Sequence, residues 1–400
     1  MDLYLQFGHG MMGYCKYLLG QWGQGTVVLS PRDLSKEQIE KFSKEIRVLR
    51  RSKVIFDPQL YLPHSEHPKL SAHDYWPANY STGVFWQGRQ LKDLLEKLVT
   101  LNEKIGSFEF ILPGLLTSKV DEDWLAIQEA VLEKAREMEP GVPLISTIAL
   151  ESSAVTQEQV AKLIERAEQW NADGYYLVCE HPKGEYLVAE PMWIANILDL
   201  AAGLRLSGSR VILGYCNHQM LVVAAAKVNA ICSGTFMNVR SFPSSKFRPA
   251  DDEAVVQRSV WFYCPKSLSE YKVPFLDVAH TLGCLQDMRP DLKFGSYANR
   301  LFLGPQPTTV GFSEQDSFRH YLNSLHIQTA EIEKATFEAT LCNLETVFSD
   351  AERILNDLHS CNIRGQKRDF REALDANRAA LSILTSTRGP ILKRQWSALP

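Results

Sequence analysis

Short apolar runs recur along the first 235 residues, and most of them close on a polar or charged residue before a stretch with apolar positions at helical spacing. The runs lie at 26–29, 53–56, 83–86, 108–112, 144–150, 174–178, 211–213 and 230–232. Their length and their bounding turn residues predict strands. Between them, 34–48, 91–101, 121–139, 157–170 and 192–206 repeat apolar residues at the period of one helix face. Ser35 precedes a Glu/Gln-rich turn, and Thr156 with Gln159 fits a capping box, so both positions predict helix starts. Eight strands alternating with helices are the pattern of an α/β fold of the (β/α)8 barrel type. A doubly wound open sheet gives the same alternation, and the strand count is what favours the barrel. The predicted organisation is a barrel over 1–245, an irregular insertion or lid over 246–315, and a C-terminal helical extension over 316–400. The second region is rich in Pro, aromatic and turn residues, and the third is strongly helical in pattern.

In such a barrel the chemistry sits where strands end, so the residues closing each run are the candidates. Asp57, followed by Pro58 and Gln59, closes the second run and predicts a carboxylate aimed at the mouth; a helix cap or loop-fixing hydrogen bond is the plainer role for it. Asp33 stands beside Arg32 before a helix, where a cap is the plainer role. Glu151 and Glu180 close the fifth and sixth runs, which places them side by side on the rim. Paired carboxylates serve acid–base work or displacement at a sugar carbon, whereas either one alone is an ordinary loop acid. His181, Tyr215, Asn217 and His218 follow the sixth and seventh runs as candidate substrate contacts, with helix capping the competing role for Asn217. Ser233-Gly234-Thr235 after the eighth run is a tight polar turn whose amides could face a phosphate.

A net charge of -4 argues against a protein that coats nucleic acid over its whole surface, and leaves a local basic face open. Basic residues collect near the end, at Arg364, Lys367, Arg368, Arg371, Arg388, Lys393 and Arg394. Lys367, Arg368, Arg371, Lys393 and Arg394 are the candidate phosphate contacts, against the alternative of a solvated helix face. Eight scattered cysteines suit a reducing compartment, no apolar run approaches about 18 residues, and the start carries an acid; the expectation is a cytoplasmic protein with no membrane contact. No Cys-x-x-Cys occurs. Cys264, Cys284 and His280 are irregularly spaced for zinc, and His64, His67, His73 and Asp74 are broken by prolines, so no metal or cofactor is expected, with zinc the alternative left open. Gly8-His9-Gly10-Met11-Met12-Gly13 reads as a close-packed turn, because no strand long enough for a dinucleotide fingerprint precedes it.

Residues 174–178, 211–215 and 228–232 resemble the second half of the barrel in the tRNA-guanine transglycosylase superfamily. Phe56-Asp57-Pro58-Gln59 resembles that family's Thr-Asp-Ser-Gly strand end. Phe318-Arg319-His320-Tyr321-Leu322 and Thr340-Leu341-Cys342-Asn343-Leu344 resemble its C-terminal helices. The resemblance implies a barrel acting on guanine or a 7-deazaguanine base in tRNA or DNA, with Asp57 as general base, and a homodimer or a pairing with a paralogous subunit. Two departures stand against the family's exchange chemistry. Cys232 occupies the position of its nucleophilic aspartate, and only Cys264 remains of its zinc site. Three readings follow: a transglycosylase-like enzyme using Asp57 with Glu151 or Glu180, a barrel subunit that binds nucleic acid or a catalytic partner without the chemistry, and a small-molecule lyase or hydrolase.

Overall fold

Strands joined by helices must run parallel, and every neighbouring pair in the main sheet does. The computed structural model describes residues 1–78, 80–249 and 259–399. Its strands are β1 (Asp2–Gln6), β2 (Gly25–Leu29), β3 (Ser52–Phe56), β4 (Phe110–Ile111), β5 (Leu116–Thr117), β6 (Leu144–Leu150), β7 (Gly174–Cys179), β8 (Arg210–Leu213), β9 (Ala230–Ser233), β10 (Trp261–Cys264) and β11 (Ser269–Lys272). Its helices are α1 (Met12–Trp22), α2 (Lys36–Arg47), α3 (Pro68–Ser71), α4 (Thr82–Phe85), α5 (Arg89–Ile105), α6 (Glu122–Glu137), α7 (Gln157–Trp170), α8 (Pro191–Leu206), α9 (Val273–Thr281), α10 (Glu314–Ile332), α11 (Phe337–Ser360), α12 (Arg371–Thr387) and α13 (Gly389–Gln395).

The sheet order β3-β2-β1-β9-β8-β7-β6-β4 wraps round until its two edges meet, where the Phe108 amide donates to the Val54 carbonyl at 3.2 Å. This is the (β/α)8 barrel, with β5 added alongside β6. Seven of the eight expected strands are present. The exception is 83–86, which forms the short helix α4. The missing strand is β1 at the chain start, so Asp57 closes the third barrel strand rather than the second. Ser35 makes the expected capping box with Gln38, whereas Thr156 caps only one way, because the Gln159 side chain turns to the Val120 amide.

The lumen is identified by Tyr176, whose hydroxyl reaches Gln6 and Asp57 across the barrel. Alternation along the registered strands then puts Gln6, Ser30, Asp57, Tyr176, Gly214 and Gly234 on the inner face, and carries Glu151 and Glu180 to it at the rim. Gly214 is required there, since a Cβ at that position would lie 2.5 Å from the Tyr176 hydroxyl. The opposite end is closed by the Arg210–Glu109 ion pair at 2.9 Å.

Between β8 and β9 the chain runs as a 3₁₀ segment, His218–Ala226, with every residue buried. The C-terminal helices cover it. Tyr321, Leu344, Phe348, Leu374 and Leu384 belong to the same continuous core as the strands, so the C-terminal helical extension packs as an outer wall of the barrel. The preceding region is more ordered than an irregular insertion: β10 and β11 form a hairpin, and Phe262, Tyr271, Leu276 and Leu301 build a second, smaller core against Leu358 and Ile363. Part of that region, 250–258, lies outside the described residues.

Leu177 is fully buried in β7, on the face opposite the lumen-directed Tyr176. Leu177→Ala is expected to lower the unfolding free energy by about 2–5 kcal/mol in urea titration. A loss under about 1 kcal/mol contradicts the assigned packing.

Candidate active site and cationic cleft

Asp57 follows β3 directly, and its carboxylate is 1% exposed at the head of the lumen. A carboxylate withdrawn from water needs donors on both oxygens. Oδ1 accepts from the Gln59 amide at 2.9 Å. Oδ2 accepts from the hydroxyls of Tyr61 at 2.8 Å and Tyr215 at 3.1 Å, with the Tyr176 hydroxyl 3.5 Å away. Burial nevertheless dominates and pushes the carboxyl up to about 6; the hydrogen bonds from Tyr61, Gln59 and the other two tyrosines pull the other way. Two residues of this group, Gln59 (φ 52°) and Tyr215 (φ 56°), hold left-handed backbone that side chains disfavour. Such strain persists only where neighbours enforce it, and here the hydrogen bonds do so. The Gln59 side-chain nitrogen donates to Tyr215 and to Ser30 at 2.9 Å each, and Ser30 in turn donates to Asp33 at 2.9 Å.

Above Asp57 the loop after β9 closes the axis. Phe242 and Phe247 stack on each other and meet the edges of Tyr61 and Tyr215. The loop is tied down by Ser65 to the Phe247 carbonyl at 2.6 Å, by Arg32 to the Lys246 carbonyl at 3.5 Å, and by Ser244 to the Glu180 carboxylate. Lys246 and Arg248, on either side of the buried Phe247, are exposed.

Those two cations face a cleft of about 850 Å³ beside the mouth. Among the described residues its lining carries Arg32, Lys69, Arg240, Lys246, Arg248, Lys272 and Arg368 against three carboxylates, Asp33, Glu270 and Glu314. Phe236, Phe318 and Trp261 supply aromatic faces between them. At one end Glu270 is fully buried, with Oε1 accepting from the Tyr186 hydroxyl at 2.6 Å and Oε2 from Arg240 at 3.1 Å and Arg368 at 2.7 Å. Burial alone raises this carboxyl, but Arg368 and Arg240 outweigh it and hold it down at about 2.

The structure sorts the candidate residues into groups. Asp33, Thr235 and Arg368 line the cleft. Asp57, Gln59 and Tyr215 form one hydrogen-bonded group beneath it. Glu151 and Glu180 sit on adjacent strand ends at the rim, as the sheet order requires, with Glu180 held by Ser244. Three candidates have structural roles instead. Asn217 caps the 3₁₀ segment by accepting from the Gln219 amide and also donates to the Tyr186 carbonyl. His218 is enclosed by the rings of Tyr186, Tyr263, Tyr321 and Phe370, and burial pushes it down to about 4. His181 is buried against Trp193 with its ring nitrogen on the Glu185 carbonyl, and is likewise pushed down to about 4 by burial.

The basic tail does not form one patch. Arg371 and Lys393 pair with Glu352 and Glu338, at opposite ends of α12 and α13, and Lys367 and Arg394 are not among the residues lining the cleft. Gly8–Gly13 does follow a strand and lead into a helix, contrary to the reading above, but of that turn only His9 reaches the cleft. Cys232 points into the barrel, fully buried, and desolvation pushes its thiol well above the ordinary range, which leaves it inert as a nucleophile. Among the described residues no three His, Cys, Asp or Glu side chains are grouped to hold a metal, and no helix is long and apolar enough to cross a membrane. Apart from Arg368, the cleft cations escaped sequence reading because they come from separate chain segments. Tyr61, Tyr176, Phe242 and Phe247 read as ordinary core.

A carboxyl raised from 3.8 to about 6 on folding binds its proton more tightly in the native state, so its ionisation destabilises the fold as pH rises through that window. Asp57→Asn removes this cost. The stability of the variant relative to the parent should therefore rise by about 3 kcal/mol between pH 2 and pH 8. A pH-independent difference in urea unfolding contradicts the assignment.

No protein-family model matches this chain, and no curated protein does. Among solved structures, xylanase 10B from Thermotoga maritima is similar at 11% identity and a TM-score of 0.36, over 58% of this chain and 82% of that one. Active domain 2 of a chitinase from Pyrococcus furiosus gives 10% and 0.34, over 63% and 91%. The carboxyl transferase domain of Rhizobium etli pyruvate carboxylase gives 12% and 0.37, over 98% and 78%. At these scores the likenesses carry no argument about substrate or reaction, and the site has to be read from its own residues.

Proposed function

We propose that this barrel acts on a phosphate-bearing nucleotide unit, seated by the cationic cleft, with Asp57 as the acid–base group. The observation that carries the reading is the concentration of seven Arg and Lys side chains on the cleft lining of a chain whose net charge is -4. Cations of that density hold phosphates, and interleaved aromatic faces are the partners of a base. A carboxyl near 6 is suited to taking and returning a proton at neutral pH. Phe242 and Phe247 separate Asp57 from the cleft, so the substrate reaches it only when the loop that carries Lys246 and Arg248 moves. Phosphates drawn to those two cations act on that same loop. The resemblance to the tRNA-guanine transglycosylase superfamily agrees with a base-directed reaction at a glycosidic bond, while the buried Cys232 speaks against that family's covalent route. The barrel reaction would then proceed without a nucleophile from β9.

A second reading, a hydrolase or lyase of an uncharged small molecule, is favoured by one observation. Glu151 and Glu180 stand together at the rim, on the inward-facing register of β6 and β7.

Lys246→Glu with Arg248→Glu is expected to weaken binding of a fluorescent mononucleotide at least tenfold and to flatten its salt dependence. Asp57→Asn should bind the same probe normally and turn nothing over. Glycoside cleavage that survives the double reversal and disappears in Glu180→Gln supports the second reading instead.

A further inference from the structure

Among the described residues, the β9 end of the cleft has more positive charge than its protein partners neutralise. Arg240, Arg368 and Lys272 gather around a single carboxylate, Glu270, whose two oxygens are already occupied by Tyr186, Arg240 and Arg368. Arg240 is held in place: its Nε donates to the Gly234 carbonyl at 2.9 Å, its guanidinium lies 3.4 Å over the Tyr321 ring, and its side chain is 3% exposed. Arg368 uses one Nη on Glu270 and stacks 3.9 Å over Trp261, which leaves its other donors toward the cleft. Neighbouring His218, whose pKa burial pushes down to about 4, is neutral and adds no charge of its own. Of the other carboxylates lining the cleft, Asp33 is paired with Arg32 and Glu314 stands in the first turn of α10, so that among the described residues seven cations face three carboxylates.

A second observation points to a ligand at the same place. Thr235 lines the cleft at 1% exposure, and its hydroxyl is buried without a hydrogen-bond partner. A buried hydroxyl left unpaired costs stability. The turn that presents it is closely packed, since a Cβ on Gly234 would sit 2.5 Å from the Gln6 carbonyl and from Val239.

We infer that this end of the cleft is a subsite for a terminal phosphate, a monoester dianion, with Thr235 and Arg368 donating to its oxygens, Lys272 closing over it and Arg240 supplying fixed charge from below. A monoester brings two charges and three free oxygens, which match an uncompensated cationic cluster with one idle hydroxyl better than the single charge of a bridging diester. The substrate class becomes a nucleotide or strand end carrying an unesterified phosphate. This deepens the nucleotide reading and rests on it.

The test compares two fluorescent thymidine trinucleotides, one with a 5′-phosphate and one with a 5′-hydroxyl, by anisotropy at fixed salt. The full chain should bind the phosphorylated probe at least tenfold more tightly. Thr235→Val should abolish most of that preference, leave the hydroxyl probe unchanged, and keep the thermal midpoint at or above that of the parent, because it removes an unpaired buried hydroxyl. Lys272→Met should reduce the preference in the same direction without touching the Glu270 pairs. Equal binding of the two probes overturns the subsite and leaves the nucleotide cleft standing. A Thr235→Val loss shared by both probes also overturns it. Failure of both probes to bind overturns the subsite and the nucleotide reading together.

Discussion

The withdrawal of one carboxylate from water organises this molecule. Asp57 is placed at the head of the lumen by the strand before it, and once there it must be satisfied by neutral donors, because no cation lies among its partners. Tyr176 reaches it from within the lumen, and Tyr61 and Tyr215 from two different loops at the rim. Each demand has a backbone consequence. Tyr176 needs the room that Gly214 leaves, and Tyr215 and Gln59 accept left-handed backbone to bring their polar groups in. The aromatic pair above, Phe242 with Phe247, completes the exclusion of water and so maintains the raised carboxyl.

Electrostatics divide the surface in a complementary way. The outer helices balance their own cations: Arg378 with Glu345 and Glu352, Arg371 with Glu352, Lys393 with Glu338, Arg388 with Asp199. Such exposed pairs contribute little to stability, but among the described residues they leave the cleft as a place where positive charge gathers without equal opposition. In an otherwise acidic chain this is the arrangement that steers an anion to one address. The cleft and Asp57 are joined through the segment Lys246-Phe247-Arg248, which faces the cleft with its cations and packs its ring on Tyr61 and Tyr215, the tyrosines that hold the carboxylate.

The barrel was legible because seven of its strands are apolar runs bounded by turn residues and separated by amphipathic helices. The run at 83–86 misleads for a physical reason: four apolar residues satisfy a strand and a helical turn equally well. β1 was passed over because it opens the chain, with no preceding turn to mark it, and ends on the polar Gln6, an inward residue. Asp57 stood out through its place after a strand, and Thr235 through its turn. The cleft could not be read, since Arg32, Lys69, Arg240 and Lys272 are distant in sequence and only barrel closure unites them. His218 and Asn217 misled in the opposite direction, because the C-terminal helices bury the segment that carries them.

The most direct test of this account is the titration of the Asp57 carboxyl itself, followed by carbon NMR of aspartate-labelled protein and assigned by the resonance missing in Asp57→Asn. The account predicts a midpoint near 6, well separated from the exposed aspartates. A midpoint at or below 4 would mean that water reaches the carboxylate and that the sealed site described here does not exist.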